Sequence, residues 1–84
     1  MNFLPREQKI DMDGQTVVLA ELSAAQFAAI DNVETEEGKA TELLYLSLKD
    51  QPASREAISQ WPNRVVNELV AAAMTLNGLT DPGN

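Results

Sequence analysis

The dipeptide Asp13-Gly14 sits between two runs of alternating polar and apolar residues, and it restricts this chain more than any other feature. A two-residue type I′ turn needs positive φ at both central positions, which Asp-Gly supplies at low steric cost. Residues Gln8 to Ala20 therefore read as a β-hairpin that pairs Met12 with Gln15, Ile10 with Val17 and Gln8 with Leu19. In that register Ile10, Met12, Val17 and Leu19 share one face; Lys9, Asp11 and Thr16 lie on the other, and Val18 falls among them. A lone hairpin is marginal in water, so its apolar face must lie against helices or another chain.

Helices follow. Ser23 is an N-cap and Gln26 completes a capping box, with Leu22 and Phe27 placed for a hydrophobic staple. Leu22, Phe27 and Ile30 then face the core, and Asp31-Asn32 ends or bends the helix. Thr35 caps a second helix from about Glu36 to Lys49, whose first turn carries Glu36 and Glu37 where the helix dipole is positive. Leu43, Leu44, Leu46 and Leu48 spread over more than one stripe of it, which implies burial on two sides or an exposed sticky patch. Gln51-Pro52 stops this helix. Ser54 opens a short helical segment, Arg55 to Gln60, and Pro62 starts the last helix, about Pro62 to Asn77. There Val65, Val66, Leu69, Val70, Ala73 and Leu76 follow the i, i+3, i+4 rule, with Asn63, Arg64, Asn67 and Glu68 opposite. Gly78 fits a Schellman C′ position, with Leu79 folding back toward Met74. The expected fold is α+β and mostly helical: an N-terminal hairpin followed by three to four short helices in a small bundle. It forms one domain over 1–84, with 1–7 and 80–84 flexible.

Missing residue types narrow the chemistry. The 84 residues contain no cysteine and no histidine, so a thiolate nucleophile, a disulfide framework and the commonest neutral-pH base and zinc ligand are all absent. Glu34, Glu36 and Glu37 lack the spacing of a calcium loop and read as a solvated helix start. Ser23 and Ser54 have no histidine to activate them and read as caps. Gly14, Gly38, Gly78 and Gly83 are scattered and make no phosphate-binding loop. The expectation is a protein that is not an enzyme and holds no cofactor or metal.

A net charge of −7 works against nucleic acid as a partner. A helix-turn-helix reading of 54–60 and 62–77 leaves Arg64 as the one base-reading cation, with Glu68 a turn away. No apolar run approaches the ~20 residues needed to cross a bilayer, and the first residues lack the apolar region of a signal peptide, so the expected location is the cytoplasm. Trp61 has two open roles, a core plug between helices or a partly exposed anchor for a partner. Asn67 likewise sits on the exposed face or cross-links backbone.

The segment Trp61-Pro62-Asn63-Arg64-Val65-Val66-Asn67-Glu68-Leu69-Val70, followed by Ala72-Ala73-Met74 and Leu76-Asn77-Gly78-Leu79, resembles the C-terminal segment of bacteriophage tail assembly chaperones. The order of elements ahead of it, an Asp-Gly hairpin, a Ser-capped helix, an acidic stretch and a leucine-rich helix, is similar too. The resemblance implies a non-enzymatic role in virion morphogenesis of a phage or prophage, in the cytoplasm of the bacterial host. Such a protein binds the tape measure protein, keeps it soluble and helps recruit tail tube subunits. Some genes of the family also make a longer product by ribosomal frameshifting, and this sequence leaves that question open. A chaperone for an amphipathic helix needs an apolar groove, and Leu43, Leu44, Leu46, Leu48, Trp61, Val66 and Val70 are the residues expected to serve a partner. The alternative reading is an acidic phage or host regulator that acts as a DNA-mimic decoy. Self-association is a further expectation, from the unpaired hairpin edge and the leucine-rich helix.

Overall fold

The structure of the protein, a computed structural model, describes residues 1–49 and 52–79. The tail expected at 80–84 and the Gln51 part of the helix stop lie outside these residues. Among the described residues the hairpin strands β1 (Glu7–Met12) and β2 (Gln15–Ala20) are followed by four helices: α1 (Ala24–Asp31), α2 (Glu36–Ser47), α3 (Arg55–Ser59) and α4 (Asn63–Leu76). The fold is α+β and mostly helical, as expected.

The hairpin register is the one that the turn dictates, with Met12 opposite Gln15, Ile10 opposite Val17 and Gln8 opposite Leu19. Asp13 (φ 50°) and Gly14 (φ 78°) both occupy the left-handed region that a type I′ turn requires. Met12 and Leu19 enter the core, and Ile10 and Val17 pack at its edge. Val18 departs from the expectation, because it is buried to 6% exposure although it belongs to the polar face. The extended residues after α2 run beside β2, where the Lys49 N–H donates to the Val18 carbonyl at 3.2 Å. From there the Lys49 ammonium pairs with Glu7 on β1, on the face that carries Val18. At the start of the hairpin Glu7 is in β1, and Arg6 is tied to Glu21 on both backbone and side chain.

The helix boundaries follow their caps. Ser23 Oγ accepts from the Gln26 N–H at 3.1 Å, and Gln26 Oε1 accepts from the Ser23 N–H at 2.8 Å, a complete capping box. Thr35 and Ser54 cap α2 and α3 in the same way. A Cβ on Gly38 would lie 2.7 Å from Val33 Cγ1 and 2.8 Å from Thr35 Oγ1, so the capped start of α2 has no room for a larger residue there. Four boundaries differ from expectation: α3 and α4 each end one residue early, with Gln60 and Asn77 as C-caps, and the other two differences are the end of α2 and the start of α4. α2 ends at Ser47, because Leu48 turns extended and bridges to Leu19. Pro62 occupies the N-cap position, one residue ahead of the first helical residue Asn63. At the far end of α4, Gly78 has φ 75°, the Leu79 N–H donates to the Met74 carbonyl and the Gly78 N–H to Thr75, completing a Schellman motif.

α2 is the central helix and packs against α1, α3 and α4, which explains why its leucines do not form a single stripe. Leu19, Leu44, Ile58, Leu69 and Ala73 are sealed in the middle of the core. The buried Ser47 hydroxyl is satisfied by the Leu43 carbonyl one turn earlier, at 2.6 Å.

Candidate functional site

The surface between α2 and α4 carries two adjoining hollows that share Glu36 and Ala40. Near the end of α4 its floor is apolar: Phe27 and Ile30 from α1, Leu43 from α2, Val70 and Met74 from α4, and Leu79 from the Schellman turn. Asp31, Glu36 and Lys39 form the rim. Glu36 and Ala40 also border the next stretch, a cleft of about 480 Å³ that continues toward the start of α4 between Thr41, Ile58, Trp61 and Val66. Glu37, Asn63 and Asn67 supply polar groups there. The whole is a shallow seam about as long as α4, apolar at one end and mixed at the other.

The sequence-predicted partner residues divide over this seam. Leu43, Trp61, Val66 and Val70 line it. Leu44 does not, because it is fully buried on the core side of α2. Leu46 and Leu48 are half-buried against the core and belong to neither stretch of the seam. Trp61 combines its two possible roles: it is half-buried against the core and borders both the seam and a smaller hollow beside Met12, Val17 and Val65. Asn67 is exposed on the rim of the cleft. Met74 and Leu79, 37% and 46% exposed, are the largest apolar surfaces of the seam and were assigned only a C-cap contact by sequence. The Schellman geometry was the signal, since it brings C″ back over the last turn.

Charge around the fold is organised by ion pairs. Arg55 binds Glu42 through two hydrogen bonds of 2.6 and 2.9 Å and lies 4.0 Å from the centroid of the Tyr45 ring. Arg64 makes a similar fork on Asp13, joining α4 to the hairpin turn across 51 residues of sequence. Arg6 binds Glu21 and also the Leu76 carbonyl, at 2.9 Å. The guanidinium hydrogen bonds hold the carboxyls of Asp13, Glu21 and Glu42 below their ordinary values. Among the described residues no group of three or more acidic side chains is arranged to hold a metal ion. Among the same residues no helix is long and apolar enough to cross a membrane.

Asn77 was missed by sequence reading beyond its place at a helix end. Its Nδ2 donates to the Ala73 carbonyl at 2.7 Å, and its Oδ1 accepts from the Leu22 N–H at 2.9 Å. It clamps the end of α4 to the connection between β2 and α1.

No protein-family profile, curated protein or solved structure matches this chain.

Proposed function

We propose that this protein is a non-enzymatic binding module that holds an amphipathic helical segment of another protein along the α2/α4 seam. With the resemblance of residues 61–79, the client is the tape measure protein of a phage or prophage tail, kept soluble in the host cytoplasm while tail tube subunits are recruited. The observation that carries this reading is the apolar stretch of the seam, where Met74 and Leu79 remain partly exposed above Leu43 and Val70. Helix-in-groove recognition needs such a strip and no catalytic group. Acidic groups on the rim favour solubility of a protein that carries it.

Co-expression with a candidate tape measure protein from the same genome tests the proposal. The expected outcome is a higher soluble yield of the client and a complex on gel filtration, both lost in Met74→Asp and Leu79→Asp variants that keep native circular dichroism. No rise in yield together with no complex would overturn it. The decoy reading requires free carboxylates in a row. Glu7, Asp13, Glu21, Glu36 and Glu42 are paired with cations, which leaves fewer carboxylates free to form one.

A further inference from the structure

The second surface with a defined occupant is the outer edge of β1. In a two-residue hairpin the pair flanking the turn exchanges both backbone hydrogen bonds, so Met12 with Gln15, Ile10 with Val17 and Gln8 with Leu19 are the bonded pairs. The N–H and C=O groups of Glu7, Lys9 and Asp11 on β1, and of Thr16, Val18 and Ala20 on β2, therefore point away from the hairpin. On β2 this outward row is partly used, because the Val18 carbonyl accepts from Lys49. On β1 no backbone group among the described residues bonds to it. An open row of this kind is a template for another strand.

We propose that this edge pairs with the same edge of a second copy, antiparallel and centred on Ile10, to give a four-stranded sheet across a twofold axis. The register follows from charge. Outward-pointing residues must pair with outward-pointing residues, so the candidate registers differ by steps of two. Centring on Lys9 sets lysine against lysine and Glu7 against Asp11 of the second copy. Centring on Asp11 sets aspartate against aspartate. Centring on Gln8 places Pro5, which has no N–H, opposite Asp11 and draws on Glu7, which already holds Lys49. Centring on Ile10 sets Lys9 opposite Asp11 of the second copy twice over, once on each side of the axis. Lys9 is the one lysine or arginine among the described residues without an ion pair, and Asp11 has only the Thr16 hydroxyl, so both are available. The same register sets Ile10, half-buried in the single chain, against its own copy in a non-hydrogen-bonded pair, where side chains approach most closely. Glu7 then falls opposite Asp13, and each already has its own cation. The seam residues Val70 and Met74 take no part, so the pairing stands or falls independently of the client.

Sedimentation equilibrium combined with amide hydrogen exchange tests the pairing. The wild-type chain should dimerise with concentration while the Lys9 and Asp11 amides become protected. Lys9→Asp and Asp11→Lys each turn two attractive cross-strand pairs into two repulsive ones and should raise the dimer dissociation constant about tenfold or more. The doubly exchanged chain, and an equimolar mixture of the two single variants, should dimerise like the wild type. Net charge is separated from register, because Asp11→Lys lowers the charge from −7 to −5 (one acid lost, one cation gained) yet weakens the dimer, whereas the double exchange stays at −7. A monomer at every concentration, protection confined to other amides, or a dimer indifferent to the single exchanges would each overturn the proposal.

Discussion

Replacing Asn77 with alanine tests the clamp between the two ends of the fold. Two hydrogen bonds disappear, but they are unequal. The Ala73 carbonyl keeps the Asn77 backbone N–H as a donor at 3.1 Å, so its loss is a modest one, about 0.5–1 kcal/mol. The Leu22 N–H has no other acceptor among the described residues and lies in a half-buried stretch, so leaving it unmade costs about 1–2 kcal/mol. The sum, roughly 1.5–3 kcal/mol, is a large share of the 5–15 kcal/mol typical of a whole domain. For a chain of this size it lowers the melting temperature by roughly 6–24 °C.

Urea denaturation followed by circular dichroism measures the stability, and exchange of the Leu22 amide reports the bond itself. Asn77→Asp sharpens the test. The aspartate keeps an acceptor for Leu22 but turns a carboxylate toward the Ala73 carbonyl, at the negative end of the α4 dipole. Its pKa is then raised in the folded state, so the variant is destabilised at neutral pH and its gap from the wild type closes as pH falls and the carboxyl becomes a donor. An alanine variant within ~0.5 kcal/mol of wild type, with Leu22 exchange unchanged, would refute the clamp.

Leu44→Ala should cost about 2–5 kcal/mol, because the side chain is fully buried, and Leu46→Ala clearly less, because it is half-buried; equal losses would mean that the wrong leucine has been placed in the core. Acid should destabilise the fold: Asp13, Glu21 and Glu42 have folded pKa values below their ordinary 3.8, 4.5 and 4.5, so on acidification the unfolded chain takes up protons first. Their contribution is complete above about pH 5 and is lost as pH falls through the lowered folded values, a decline that ~1 M salt should flatten; a melting temperature constant from pH 6 to pH 3 at low salt would contradict it.

Local chemistry was legible in the sequence and long-range chemistry was not. The hairpin register, the Ser23–Gln26 box, the Thr35 and Ser54 caps and the Gly78 turn all follow from residues within a few positions of one another. Val18, the end of α2 and Asn77 were misjudged because each is decided by a segment 29 or more residues away: Lys49 beside Val18, Leu19 against Leu48, Leu22 against Asn77. The seam was half legible for a geometric reason. Neighbouring residues on a helix point about 100° apart, so Leu43 and Leu44 face different partners. Which of the two meets the surface depends on where α1, α3 and α4 pack around α2.

The contact between Arg6 and the Leu76 carbonyl places the first strand and the last helical turn at one corner of the molecule. The tie joins two segments 70 residues apart, so fraying of either one removes a partner from the other. The same last turn carries Met74 and leads into Leu79, so a loose first strand would also loosen the apolar end of the seam.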